Sequence, residues 1–126
     1  MLTYTVSARR LDSHGSLART KNAEIALDTD MAGRSDAFNP AELFLASIAA
    51  CMIKGIERVM PMLDFNLRGV DVSLHGERQD SPPKMISVAY LITVDTDESD
   101  QRLELLHKNV RKYGTISNTV AEVVNL

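Results

Sequence analysis

The residues best suited to chemistry lie in the stretch NPAELFLASIAACMI, which runs from Asn39 to Ile53. Cys51 is the only cysteine of the sequence, and it ends a run with few polar atoms. A thiol in such a run is either packed in the core, where free cysteine is common, or a nucleophile whose partners come from elsewhere in the fold. Glu42 is the only carboxylate of the stretch. Cys51 and Glu42 are therefore the candidate site residues.

The same stretch carries the signals of a long helix. Asn39 suits the N-cap, Pro40 suits the first helical position, and Glu42 suits a capping box, in which its side chain bonds back to the cap residue. Apolar residues continue to Leu63, and Pro61 is expected to kink or end the helix. Because the middle of this helix is apolar on every side, we expect it to be buried all round. A chain of 126 residues has difficulty covering such a helix alone, which favours a homodimer.

Glu42 and Cys51 are nine residues apart. A regular helix of that length rises roughly 13.5 Å and turns by about 180°, so the two side chains of one chain point away from each other. Glu42 is therefore expected either to cap its own helix or to approach the thiol of a second subunit across a two-fold axis. The sequence leaves both roles open.

Patterns on either side of this helix predict an α+β fold of the order β-β-β-α-β-β-α-α in a single domain over 1–126. Alternation and β-branched residues predict strands at 3–10, 16–20, 23–29, 70–75 and 86–94. The helices predicted after these strands cover 99–112 and 115–124. Gly114 lies between them, and we expect it to take the left-handed conformation of a helix stop.

Composition and charge narrow the classes of function. The formal net charge is −3, with 25% charged and 44% hydrophobic residues, so neither nucleic acid nor a membrane surface is predicted as a partner. The longest apolar run, 43–53, is too short for a bilayer, and the N-terminus has no signal-peptide pattern, so a cytoplasmic protein is expected. One cysteine excludes an intrachain disulfide, and three scattered histidines lack metal-ligand spacing. Neither a metal nor a cofactor is predicted.

Two segments carry a family resemblance. The motif N-P-x-E-L-x-L-A-x-x-A-A-C at 39–51 resembles the central-helix motif of the OsmC/Ohr family, the osmotically inducible and organic hydroperoxide resistance proteins. The segment K-Y-G-T-I-S-N-T-V at 112–120 is similar to the second motif of that family, C-P/T-x-S-N/R-T. The order of strands and helices agrees as well. The resemblance implies an OsmC-like fold with a long buried central helix and an intertwined homodimer.

The resemblance also implies a thiol peroxidase that reduces organic hydroperoxides in the oxidative stress response. In that family a first cysteine attacks the peroxide and becomes a sulfenic acid, a second cysteine closes a disulfide, and an Arg and a Glu hold the thiolate. By position Cys51 matches the first cysteine. Glu42 is the candidate acid, although in the peroxidase branch the acid directly follows the proline. No arginine matches strictly, and Arg34, in the loop before the helix, is a further cation in reach.

Gly114 stands where the family has its second cysteine. A sulfenic acid on Cys51 must then be resolved by an external thiol reductant or by the partner chain. One expected function is a one-cysteine peroxidase acting on a small apolar hydroperoxide, with Cys51 as nucleophile and Glu42 as an orienting acid across the interface. The alternative is a non-catalytic dimeric module that binds a small apolar ligand at the subunit interface. Retention of Cys51 favours the first function, and loss of the second cysteine favours the alternative.

Overall fold

A computed structural model describes residues 1–126, which divide into two compact units, 1–44 and 45–126. The strands are β1 Ser7–Arg10, β2 Gly15–Thr20, β3 Ala23–Asp28, β4 Gly69–Gln79 and β5 Lys84–Asp95, and the helices are α1 Pro40–Leu63, α2 Asp100–Tyr113 and α3 Thr115–Ala121. The predicted α+β class and element order are therefore confirmed. No helix combines the length and the apolar character that a membrane crossing requires.

The first unit contains a three-stranded antiparallel sheet in the order β1-β2-β3. β1 begins at Ser7 rather than at residue 3, because its partner β2 ends at Thr20 and pairing starts with Ser7 opposite Arg19. No large apolar side chain of this unit is buried. Val6 and Phe38 are 65% and 52% exposed. The sheet therefore has no hydrophobic core of its own within residues 1–44.

α1 begins with the predicted capping box. The Asn39 side-chain oxygen accepts the Glu42 N–H at 2.8 Å, and the Glu42 carboxylate accepts the Asn39 N–H at 2.9 Å. These bonds satisfy two of the backbone donors that the start of a helix leaves without partners. At the other end, Pro61 lies in the last turn, and the helix ends at Leu63. The expected cap and the expected end near Pro61 are both present.

Within the second unit, α1 is buried on one face. Ile48, Met52, Ile56 and Val59 follow each other at helical spacing and are each at most 2% exposed. Ile53, which points away from this stripe, is 41% exposed. The expectation that the helix is buried all round is therefore not met by one chain, because a single copy supplies neighbours for one face only.

β4 and β5 form the predicted hairpin and pair antiparallel, with one shift of register between Glu77 and Arg78. Residues of β4 alternate between half-buried and exposed, as expected for a strand with one face in water. Val88 of β5 is buried. The second unit therefore has its core among α1, β5 and α2, where Leu106 and Val110 are also buried.

Arg102 joins the end of α1 to the start of α2. Its guanidinium donates to the carbonyl of Leu63 at 2.6 Å and to the carboxylate of Glu98 at 3.4 Å. Glu98 also accepts the backbone N–H of Asn66, and this bond holds the pKa of Glu98 below its usual range. A cationic donor thus satisfies one of the carbonyls that the end of α1 leaves free.

Gly114 is the only residue between α2 and α3. It has φ −77° and ψ 114°, an extended conformation that any residue can adopt, so the expected left-handed helix stop is wrong. The reason is that α3 starts at the next residue, and the chain therefore takes an extended step instead of a left-handed cap. Gly114 is buried. The small space around it, rather than its backbone conformation, limits which side chains this position can accept.

The capping box yields a stability prediction. Glu42→Ala is expected to lower the free energy of unfolding by about 1 kcal/mol, because one of the two reciprocal bonds is lost. Glu42→Gln keeps an oxygen acceptor at the same place and should stay within about 0.5 kcal/mol of the parent. Urea unfolding followed by circular dichroism measures both changes. An equal loss in the two variants would contradict the role of this hydrogen bond.

Candidate functional site

Cys51 lies in the middle part of α1 and is half-buried. Its helix neighbours Ile48 and Met52 are fully buried. Cys51 therefore stands at the edge of the buried stripe and is partly exposed. This position is consistent with a nucleophile and with partial core packing.

Gly114 brings the two sequence motifs together. A Cβ built on Gly114 would lie 3.3 Å from the sulfur of Cys51. In a disulfide each Cβ lies roughly 3 Å from the sulfur of the other cysteine. Position 114 is therefore close enough to the thiol for a covalent bridge, as the family resemblance implies for its second cysteine.

Ser117 faces the same place. The point that a Cβ on Gly114 would occupy is 3.1 Å from the Ser117 hydroxyl oxygen. Ser117 is 1% exposed, and its hydroxyl makes no hydrogen bond with any protein group. The sequence analysis missed this residue. The available signal was its place in the second motif, three residues after Gly114.

Arg58 is a second residue that the sequence analysis missed. It follows Cys51 by seven residues, which returns it to nearly the same face of α1 two turns later. Its guanidinium donates to the carbonyl of Tyr113 at 3.2 Å, next to Gly114 in the chain. The available signal was the spacing of seven residues along the helix.

Glu42 lies in the first unit, and its side chain is exposed. One carboxylate oxygen is engaged in the capping box with Asn39. The expectation that Glu42 caps its own helix is confirmed. Its expected approach to the thiol of a second subunit stays a prediction.

Arg34 is held in place within the first unit by Asp36. Its Nε and Nη2 donate to the two carboxylate oxygens of Asp36 at 2.7 Å and 2.9 Å. This bidentate pair raises the pKa of Arg34 above its usual range. The guanidinium packs over Gly15, where a Cβ would overlap its Nη1 atom. Arg34 is therefore a fixed cation beside the start of β2.

The second unit also contains an open cavity of about 470 Å³ among α1, β5 and α2. Its lining is mostly apolar and includes Ile56 and Ile92. At its edge the Tyr90 hydroxyl lies 2.6 Å from Nε2 of His107 and accepts a hydrogen bond from Arg111 at 2.9 Å. The volume is within the range of small-molecule sites, roughly 300–1,000 Å³.

Several solved structures share this fold at low sequence identity. The OsmC like protein from Mycoplasma pneumoniae is 18% identical, with a TM-score of 0.88 over 98% of this chain and 94% of that chain. An organic hydroperoxide resistance protein OsmC from Legionella pneumophila is 23% identical, with a TM-score of 0.78 over 99% of this chain and 95% of that chain. The organic hydroperoxide resistance protein OhrB of Bacillus subtilis is 19% identical, with a TM-score of 0.69 over 98% of this chain and 94% of that chain.

The sequence itself matches a family model. No curated protein sequence matches this chain significantly. The model described as OsmC-like protein matches residues 33–126, which include α1, the β4–β5 hairpin and both C-terminal helices. Since this match spans most of the chain and the fold agrees, the chain belongs to the OsmC-like protein family.

Proposed function

We propose that this protein is a one-cysteine thiol peroxidase that reduces organic hydroperoxides in the response to oxidative stress. The observation that carries the proposal is the position of Cys51, half-buried on the central helix and facing residue 114 of the second motif. Membership of the OsmC-like family supports a redox role. The names of two similar structures, which refer to organic hydroperoxide resistance, support the substrate class.

In the first step the Cys51 thiolate attacks the terminal oxygen of the hydroperoxide. A sulfur–oxygen bond forms, the oxygen–oxygen bond breaks, and the leaving alkoxide takes up the proton of the transferred oxygen to become an alcohol. The sulfur is oxidised by two electrons to a sulfenate, and the hydroperoxide is reduced by two electrons.

The second step requires a thiol from outside the chain, because Cys51 is the only cysteine. An external thiol attacks the protonated sulfenic acid, which releases water and leaves a mixed disulfide on Cys51. A second thiol then attacks the mixed disulfide, restores the Cys51 thiol and leaves as the reductant's disulfide. The overall reaction consumes one hydroperoxide and two thiol groups and produces one alcohol, one water and one disulfide.

We propose that the protein acts as a homodimer. Two observations support a second copy as the missing neighbour: the outward face of α1 around Ile53 is uncovered, and the first unit exposes apolar side chains such as Val6. In such a dimer Glu42 would act as an orienting acid for the thiol of the other copy. Because Glu42→Gln preserves the cap, a loss of turnover in that variant would report the carboxylate charge itself.

A second candidate function is the binding of a small apolar ligand without catalysis. The open apolar cavity beside Ile56 favours this function, since its volume of about 470 Å³ suits a small molecule. Labelling of Cys51 by an electrophile across pH separates the two functions. A thiol that reacts near or below neutrality supports the peroxidase, whereas a thiol that is inert in the native state supports the binding module.

The peroxidase proposal is tested by turnover of cumene hydroperoxide. Dihydrolipoamide, thioredoxin and a small thiol are compared as reductants, and the rate should rise in proportion to thiol concentration because resolution is bimolecular. Cys51→Ser is expected to lose activity by roughly three orders of magnitude or more while keeping its fold. If dimedone traps no sulfenic acid in the peroxide-treated parent, the peroxidase proposal fails. Binding of a small apolar ligand is then the favoured function.

The dimer is tested by light scattering at micromolar concentration. The parent is expected to have twice the mass of one chain. Ile53→Glu should increase the monomer fraction, because it places a charge on the uncovered face of α1. A folded parent with the mass of a single chain would refute the dimer.

The proximity of residues 51 and 114 is tested by Gly114→Cys. Mild oxidation is expected to form an intrachain disulfide, because a Cβ at this position lies 3.3 Å from the Cys51 sulfur. The new side chain also crowds Ser117 and Val110, which should cost about 1–3 kcal/mol of stability. Thiol titration and mass spectrometry measure the bridge.

Thr115→Cys is the matched control for this variant. Residue 115 is adjacent in sequence but exposed, so its thiol should not bridge to Cys51. Dithiol-dependent turnover of Gly114→Cys should also exceed that of the parent, since resolution becomes intramolecular. A Gly114→Cys protein that folds but keeps two free thiols would show that position 114 is not the resolving position.

A further inference from the structure

Ser117 is the one buried side chain in the structure whose polar atom has no hydrogen-bond partner. It is 1% exposed, so bulk water does not satisfy its hydroxyl either. Leaving a buried hydroxyl without a partner costs free energy, and such groups in folded proteins call for an explanation. One such explanation is a hydrogen-bond partner that is present only in another chemical state of the protein.

The sulfur of Cys51 and this hydroxyl approach the same point in the structure. The Ser117 oxygen and the Cys51 sulfur lie 3.1 Å and 3.3 Å from the same point above the Cα of Gly114. Gly114 has no side chain to occupy that point, which the carbonyl oxygen of Val110 also approaches to 3.1 Å. In the reduced protein the thiol is a weak acceptor, and the hydroxyl does not bond to it.

We propose that the Ser117 hydroxyl donates a hydrogen bond to the oxygen atom that Cys51 acquires on oxidation. This hydrogen bond stabilises the sulfenate form of the protein. This inference rests on the proposed peroxidase function. When the thiolate attacks the terminal peroxide oxygen, the sulfur–oxygen bond forms, the oxygen–oxygen bond breaks, and the organic part leaves as an alcohol. The sulfur gains a charged oxygen that is a far stronger acceptor than the thiol it replaces. The partner of Ser117 is thus created by the reaction.

The hydrogen bond has a specific use in a chain with one cysteine. Without a second cysteine the sulfenate must wait for an external thiol, and during that time a second hydroperoxide can oxidise it to the irreversible sulfinic acid. Oxidation to sulfinic acid requires the sulfenate to act as a nucleophile. Donation from Ser117 withdraws electron density from the sulfenate and lowers this nucleophilicity, so the oxidised cysteine survives longer.

The test compares Ser117→Ala with the parent and with Thr119→Ala. Thr119 is the matched control, because its hydroxyl lies on the same short helix but is exposed and bonds the carbonyl of Thr115. In Ser117→Ala, the cumene hydroperoxide concentration that converts half of Cys51 to sulfinic acid should fall about tenfold. Mass spectrometry measures this conversion, and Thr119→Ala should match the parent.

Stability separates this role from a structural one. Ser117→Ala removes a hydroxyl without a partner, so the reduced variant should be at least as stable to urea as the parent. A structural hydroxyl would instead show a loss of stability with no change in sulfinic acid formation. If the reduced variant is destabilised, or if its sulfinic acid forms at the parent's peroxide concentration, the inference is overturned while the peroxidase function stands.

A crystal of the protein treated with about one equivalent of hydrogen peroxide gives a readout independent of turnover. The oxygen on Cys51 is expected about 2.7 Å from the Ser117 hydroxyl. This bond in a protein that fails to reduce cumene hydroperoxide would refute the proposed function and leave the inference intact. A Cys51 that stays unoxidised, or whose oxygen points away from Ser117, overturns the inference.

Discussion

The close approach of α1 and α2 is the constraint on which the site depends. A Cβ on Gly55 of α1 would lie 3.3 Å from a methyl carbon of Val110 on α2, and Gly114 at the end of α2 is similarly crowded beside Cys51. Near the end of α1 and the start of α2, Arg102 donates to the carbonyl of Leu63, the last residue of α1. The glycines permit the contact and Arg102 fixes its alignment, and as a result the thiol meets the segment that follows α2.

The parts of the fold that depend on residues close together in the sequence were predictable. The capping box needs only Asn39 and Glu42, and the hairpin needs only the alternation of two strands and the turn between them. The candidate site was predictable where a motif marked it, as at Cys51. These signals are local because each depends on backbone geometry within a few residues.

The remaining features depend on contacts between distant segments. The conformation of Gly114 follows from the immediate start of α3, and its spatial role follows from α1, which is far away in the sequence. Neither the unpartnered hydroxyl of Ser117 nor the bond from Arg58 to the carbonyl of Tyr113 can be deduced without knowing that α1 and α2 pack together. The burial of α1 was overestimated for the same reason. The apolar sequence of the helix does not show which of its faces are covered by other segments of the same chain.

The composition of α1 has a consequence for folding. The helix contains Gly55 and Pro61 and several β-branched residues, all of which have poor intrinsic helix propensity, so it gains most of its stability from packing. Its second half therefore depends on packing against its neighbours, α2 among them. Cys51 lies on α1 and Ser117 lies on α3, which follows α2 after one residue, so the thiol and this hydroxyl come together only when the C-terminal helices have docked against α1. The surroundings of Cys51 are thus a property of the complete native packing and of no single segment.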